Sequence, residues 1–245
     1  MTRLALRNCR GICLAEVLIA LAAGAVVLSA TLQSLSHFDR QLSAQHRTVA
    51  QTQDARIGLT IVTDELRLAG TASPPTEAPV LAAGRQDIAF LANLGGLVTT
   101  LTESVPAGRQ DLPVLNGTDW PKGKRVLVCD REHCVESRLA RDGRRRVLTL
   151  TEPFGRDVTA GSEVRVVNQV RYYLRTDRAG KKSVMRDVDG GANSLIGHVE
   201  RFELTYFDRD GGPTDDPLRV TRVRIEAAVG ESRQAVVRDV GLRGR

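Results

Sequence analysis

Aromatic residues are scarce in this chain of 245 residues, where phenylalanine, tryptophan and tyrosine together make up 4% of the sequence. A hydrophobic core of moderate size must therefore be mostly aliphatic. The sequence also lacks a Gly-x-Ser-x-Gly motif, a P-loop, a zinc-binding histidine pair and a Cys–His couple. Its four histidines are scattered: His37, His46, His133 and His198. We expect no enzyme activity, and a membrane-anchored hydrolase is the alternative that the sequence alone leaves open.

Lysine is also rare, and arginine supplies almost all of the positive charge. The formal net charge is +6, from 35 basic and 29 acidic residues. Arg3, Arg7 and Arg10 lie within the first eleven residues, so their removal by processing would leave a net charge of +3. Bulk charge therefore gives little reason to expect nucleic acid as a partner.

The most informative feature that is present is an apolar run over residues 17–32, with no charge between Glu16 and Asp39. Residues 12–35 suffice to cross a bilayer as a helix. The preceding arginines place the rest of the chain on the outer side of the membrane. A carboxylate inside a membrane span costs roughly 2.5–3.5 kcal/mol on insertion scales, so Glu16 requires a role.

Three interpretations compete for this segment. A secretory signal peptide would be cut after the apolar run, where residues 22–25 are small. A plain membrane anchor would explain the length alone. Cleavage between Gly11 and Ile12 also explains Glu16, because it creates an ammonium group one helical turn away. In a helix bundle, the carboxylate of one chain can then pair with the terminal amine of its neighbour.

Residues 11–21, Gly-Ile-Cys-Leu-Ala-Glu-Val-Leu-Ile-Ala-Leu, resemble the class III signal of type IV pilins and type II secretion pseudopilins. The resemblance implies that prepilin peptidase cleaves between Gly11 and Ile12 and N-methylates Ile12. It also implies that Glu16 is the assembly glutamate. Ile12 replaces the usual phenylalanine of the family, and Cys13 replaces the common threonine.

The helix is predicted to continue beyond the membrane, over residues 36–70, and to end at Gly70 and the prolines that follow. Ile57, Ile61 and Leu68 recur at helical spacing and predict the face that packs on a sheet. A break near Gly58 is the alternative. Residues 63–70 resemble the helix end of PilW-type minor pilins. The segments 170–174, 199–211 and 222–225 follow one another in an order that resembles the C-terminal half of these pilins and of the related J-type pseudopilins.

After Pro75 the periodicity changes from helical to alternating, which predicts strands joined by short Gly-containing turns. The predicted fold class is α+β, with the long N-terminal helix packed on a mainly antiparallel β-sheet head over residues 71–245. Residues 92–121 are predicted to be irregular, with at most one strand. The predicted strands are 87–91, 125–129, 146–150, 163–167, 170–174, 201–207, 220–228 and 234–240.

Cys129 and Cys134 are expected to form a disulfide, since nearby thiols outside an inner membrane are usually oxidised. The alternative is a metal site that combines both thiolates with His133. A calcium site is a second candidate, because Asp208, Asp210 and Asp215 surround a glycine turn. Asp187 and Asp189 would join it only if the fold brought them close. A solvated hairpin turn is the simpler interpretation, and we expect no other cofactor.

Five arginines near the Asp142-Gly143 turn form a basic cluster: Arg138, Arg141, Arg144, Arg145 and Arg146. The cluster could contact DNA phosphates or acidic partners. No aromatic residues are interleaved for base stacking, which favours an ordinary solvated face.

The family resemblance implies a minor pilin that acts in the assembly, priming or tip of a type IV pilus. Its expected partners are other minor pilins, the major pilin, prepilin peptidase and the inner membrane. It would cross a bacterial inner membrane once, with a periplasmic head, before incorporation into the filament. The alternatives are a type II secretion pseudopilin and, from another class, an adhesive or DNA-binding tip module.

Overall fold

The computed structural model describes residues 14–74, 78–130, 133–230 and 235–243. Within these ranges the chain forms one helix and thirteen strands, all of whose pairings are antiparallel, which confirms the predicted α+β class. The helix α1 spans Leu14–Arg67. The strands are β1 Val80–Gly84, β2 Asp87–Ala92, β3 Val98–Thr100, β4 Asp111–Pro113, β5 Arg125–Asp130, β6 His133–Arg138, β7 Val147–Thr149, β8 Glu163–Thr176, β9 Lys182–Val188, β10 Gly191–Ile196, β11 Val199–Phe207, β12 Arg222–Val229 and β13 Val236–Gly241.

The chain divides into two compact units, one ending at Ala50 and the other beginning at Gln51. The described part of the first unit is entirely helical. The second unit contains the last turns of α1 and all the strands. The second unit thus includes helical residues from Gln51 onward.

The final turns of α1 are buried through a different face from the one predicted. Leu59, Val62 and Leu66 are at most 2% exposed, but Ile57 is 61% exposed. The prediction that Ile57 leads the packing face is therefore wrong. A wide apolar stripe offers several overlapping sets of helical spacing, and the sheet selects one of them.

Gly58 lies inside α1 and does not break it. A Cβ placed on Gly58 would lie 2.3 Å from Ile196 Cγ1, which is closer than real Cβ contacts allow. The glycine therefore permits close approach of β10 to the helix.

The central strand is β8, which pairs along its length with four other strands. Its first half lies between β3 and β5, and its second half lies between β2 and β9. With β1, β6 and β10 these strands make an eight-stranded sheet. The sequence predicted two strands here, 163–167 and 170–174, but residues 168 and 169 also pair with β2, so the strand is continuous.

Two main hydrophobic cores are formed. The first includes the buried face of α1 together with side chains of β2, β8 and the three-stranded sheet β11-β12-β13. The second includes Trp120, Phe154 and aliphatic side chains of β5, β7 and β8. Residues 92–121 supply two short strands, β3 and β4, rather than at most one. Each has three residues, which is too short for an alternating pattern to show.

Candidate functional site

The apolar part of α1 is the first candidate site. A segment over Leu14–Ser43, here called the apolar segment, is long and apolar enough to cross a membrane by length and composition, a property that signal sequences share. All its side chains are exposed. Leu14, Ile19 and Phe38 are 79%, 70% and 67% exposed, respectively. Single exposed apolar residues are ordinary, but a continuous run of this kind marks a surface that contacts lipid or other proteins.

Hydroxyl groups within the apolar segment donate to backbone carbonyls one turn earlier. Ser29 Oγ donates to Ala25 O at 2.7 Å, and Thr31 Oγ1 donates to Val27 O at 2.8 Å. Ser36 Oγ donates to Leu32 O at 2.9 Å. These polar groups are therefore satisfied within the helix itself, as a nonaqueous surrounding requires.

Glu16 lies in the first turn of α1 and is exposed. The helix dipole favours an acid at this position, which is a structural reason for its presence. Among the residues that the structure describes, no cation forms an ion pair with Glu16. The predicted cleavage site, Gly11 and Ile12, lies outside the described residues.

A second carboxylate of the same helix, that of Glu65, accepts hydrogen bonds from two side chains of the sheet. Glu65 accepts hydrogen bonds from Arg186 Nη2 at 2.5 Å and from Arg186 Nε at 3.0 and 3.1 Å, and it also accepts one from Tyr172 Oη. Tyr172 on β8 and Arg186 on β9 are directly opposite each other, so both side chains leave the same face of the sheet. We call Glu65, Tyr172 and Arg186 the Glu65 cluster.

The Glu65 cluster holds the helix α1 to the strands β8 and β9, and we call this connection a clamp. The electrostatics of the cluster favour this role. The hydrogen bond to Glu65 raises the pKa of Arg186, which keeps the guanidinium charged. Burial, and then the neighbouring Glu65 carboxylate, raises the pKa of Tyr172, which keeps its hydroxyl protonated as a donor. Glu65 was not predicted to be a site residue. The sequence does place Glu65 between two apolar residues of the helix, Val62 and Leu66, which are both buried. An acid so close to a buried face is the one sequence feature that pointed to a partner for Glu65.

Cys129 and Cys134 are opposite each other in the β5–β6 pair and form a disulfide, which confirms the predicted pairing. Both sulfur atoms are consumed by this bond. The alternative metal site with His133 therefore has no thiolate ligands.

The aspartate turn after β11 is held by the protein itself. Asp208 Oδ1 accepts from the backbone N–H groups of Asp210 at 3.1 Å and Gly212 at 2.8 Å, and Asp208 Oδ2 accepts from Arg219 Nη2 at 3.0 Å. Asp210 and Asp215 are exposed. Over the described ranges, no group of three or more histidine, cysteine or acidic residues is arranged to hold a metal ion. The predicted calcium site gains no support from this geometry.

The hydrogen bonds of Asp187 and Asp189 are made with residues outside the aspartate turn. Asp187 Oδ1 accepts from the Gly190 N–H. Asp189 accepts from Asn168 Nδ2, from the Gln169 N–H and from Lys124 Nζ. Burial opposes ionisation of Asp189, but these hydrogen bonds outweigh it and lower the pKa of the carboxyl.

The predicted arginine cluster is distributed over the end of β6 and the loop before β7. All five side chains belong to exposed residues. Arg141 is paired with Asp111, at 3.4 Å from Nη2 to Oδ1. Arg138 instead lines a separate cavity with two lysines.

The chain matches no protein-family model, no curated protein and no solved structure. The structure therefore shows the architecture alone, which is a long apolar N-terminal helix followed by antiparallel sheets.

Proposed function

We propose that this chain is a pilin-class filament subunit, of the kind represented by PilW-type minor pilins, that acts in the assembly, priming or tip of a type IV pilus. The observation that carries this proposal is the exposed apolar segment with Glu16 in its first turn and no other charged residue before Asp39. Directly before it stands the Gly11-Ile12 junction that resembles a class III cleavage site. A type II secretion pseudopilin is the alternative within the same class.

The proposed mechanism is assembly through the helix. Cleavage after Gly11 leaves a positively charged amine on Ile12, and prepilin peptidase methylates it. The carboxylate of Glu16 then pairs with the amine of an adjacent subunit as the helices pack together. This pairing offsets the cost of an isolated charge in hydrocarbon and fixes the axial register of one subunit against the next.

Packing of the remaining helix surface supplies the attraction. Lipid tails are as apolar as leucine, so helices associate in a membrane through close contacts and polar pairing rather than through hydrophobic transfer. The exposed side chains of the apolar segment provide such contacts. The hydroxyls of Ser29, Thr31 and Ser36 add no unsatisfied donors, because they donate to their own helix.

The head has the features expected of a part exposed to the periplasm. It has its own cores, a disulfide, and a clamp between the helix and the sheet at Glu65. A disulfide between β5 and β6 fits an oxidising compartment. These features support the proposed localisation, a single-pass inner-membrane protein with a periplasmic head that later enters the filament.

Mass spectrometry of the mature amino terminus tests this proposal. The chain is expressed with prepilin peptidase in a host that lacks its own enzyme, and a parallel culture omits the peptidase. The expected product begins at methylated Ile12 only when the peptidase is present. A mature chain that begins at Met1, or near Ala25, would contradict the proposal and would favour an anchor or a secretory signal, respectively.

Pilus and secretion functions are separated by deleting the coding sequence. Loss of surface pili with normal protein secretion is expected. Loss of secretion with normal pili would assign the chain to a pseudopilus instead.

A further inference from the structure

A cavity of about 390 Å³ near the open end of the β5–β6 hairpin is lined mostly by basic side chains. Four of its seven lining residues are basic, namely Lys122, Lys124, Arg125 and Arg138. The other lining residues are Gly123, Gln169 and Asp189. We call this cavity the basic pocket. It lies entirely within described residues of the second unit, and the proposed pilin function does not use it.

The register of the hairpin concentrates positive charge there. Arg125 and Arg138 are directly opposite each other in the β5–β6 pair. Like charges in opposite positions of an antiparallel pair repel and destabilise the pairing. Glu136 offsets part of this repulsion, with its Oε1 3.3 Å from Arg125 Nη1. Arg125 has five N–H donors, and its Nη2 finds no acceptor among the described residues.

The lysines are presented by a backbone that is already fixed. The Gly123 N–H donates to Leu139 O at 2.8 Å, and the Leu139 N–H donates to Lys124 O at 3.0 Å. The Lys122 N–H donates to Asp142 Oδ1 at 2.8 Å. Gly123 has φ +78°, a left-handed conformation that favours glycine in this turn. A ligand that binds between the lysines would therefore not need to order the loop.

The charge of the basic pocket selects the ligand. Lys124 pairs with Asp189 at 3.3 Å, and Arg125 pairs with Glu136. These two acids pair with two of the four lining cations, which leaves two lining cations without an ion pair among the described residues, and Asp142 accepts only from the backbone N–H of Lys122. In the described part of the chain, neither Lys122 Nζ nor the Arg138 guanidinium has a side-chain partner. A phosphate monoester carries about two negative charges near neutral pH, whereas a carboxylate or a phosphodiester carries one.

The geometry points to a binding site for a dianionic phosphate group, either inorganic phosphate or a phosphate monoester, in the basic pocket. Arg138 and Lys122 contribute the unpaired charges, and Lys124 and Arg125 line the wall. Arginine can contact phosphate oxygens in a bidentate manner, and lysine acts as a compact point charge.

Calorimetric titration of the full chain in detergent micelles with inorganic phosphate, at constant ionic strength, tests this site. One phosphate is expected to bind per chain. Arg138→Gln and Lys122→Gln are each expected to weaken binding about tenfold, as loss of a charged hydrogen bond predicts. Arg178→Gln removes the same charge from an exposed turn outside the pocket and is expected to leave the affinity unchanged.

Two competition arms identify the source of the phosphate. A small phosphate monoester is expected to displace inorganic phosphate, and a single-stranded oligonucleotide is not. Displacement by the oligonucleotide alone would overturn the preference for a dianion and indicate a nucleic-acid backbone as the ligand. Equal weakening by Arg178→Gln and Arg138→Gln, or no binding by the wild-type chain, would overturn the site itself. Because Lys122 and Arg138 are exposed, both variants are expected to keep the wild-type unfolding transition.

Discussion

Glu16 and Glu65 are carboxylates of one helix, but their surroundings are opposite. Glu16 is exposed among apolar side chains, without an ion-pair partner in the described residues, whereas Glu65 accepts from Arg186 and Tyr172. A carboxylate that is away from water needs compensation, since an uncompensated charge there is costly. Glu65 finds it within its own chain. For Glu16, the described residues supply no ion-pair partner, and in the proposed filament the terminal amine of an adjacent subunit would supply it.

The largest expected effect is on assembly. Glu16→Ala removes one member of the proposed intermolecular pair, and loss of a partner in a buried pair costs about 3–5 kcal/mol. The amount of this subunit recovered in sheared filaments should therefore fall at least about a hundredfold. Asp39→Ala, on the same helix, is the matched control and should be recovered normally. Normal recovery of Glu16→Ala would remove the distinction between the two glutamates.

Glu65→Ala should act on stability. It leaves Arg186 without its carboxylate, and because both side chains keep partial solvent access, at 29% for Arg186 and 14% for Glu65, we expect a loss near the lower end of the buried range, about 3 kcal/mol. Urea unfolding of the full chain in detergent measures this loss. Asp64→Ala, whose pair with Arg67 is well exposed, should change stability by less than about 0.5 kcal/mol. Equal effects of the two changes would show that Glu65 is not a clamp.

Loss of the disulfide should have a smaller effect. Cys129→Ser with Cys134→Ser opens a short loop, for which the chain-entropy model gives about 2 kcal/mol. The same urea titration, with and without a reductant, measures it. The double variant should be insensitive to the reductant, whereas the wild-type chain should lose a similar amount of stability on reduction. A reductant effect on the double variant would assign the loss to another cause.

The smallest effect concerns the two glycines of the described part of α1. Gly58→Ala creates a clash with Ile196, which costs about 1–3 kcal/mol, but helix propensity returns about 1 kcal/mol. A net loss of about 1 kcal/mol is expected on urea unfolding. Gly24→Ala, which meets no atom within 4 Å, should not destabilise the second unit. A stabilised Gly58→Ala variant would show that β10 can move away from the helix.

The long elements could be predicted from the sequence because their patterns are strong. The apolar run predicted the start of α1, and alternation in residues 220–228 predicted β12. The strands β9 and β10 were missed. Four consecutive residues of β10 are exposed, so neither face of the strand is buried there and the sequence shows no apolar alternation. Hairpin β9–β10 is instead specified by Asp189 and Gly190, which both have positive φ.

The candidate site residues that could be recognised from the sequence are those that are conspicuous in a short stretch of chain. Glu16 stands out against an apolar background, and Cys129 and Cys134 are close in sequence. The Glu65 cluster and the basic pocket join residues from distant elements, such as Arg186 with Glu65 and Gln169 with Lys122. Their composition follows from strand register, which a single sequence does not specify.

The length of β8 has a consequence for how the second unit unfolds. Val164 and Val166 of this strand lie in one hydrophobic core, and Val170 and Tyr172 lie in the other. Neither core can open without freeing part of a strand that the other core needs. Native-state hydrogen exchange should therefore report a single cooperative opening for both halves of β8, with amides on either side of Asn168 exchanging at similar free energies.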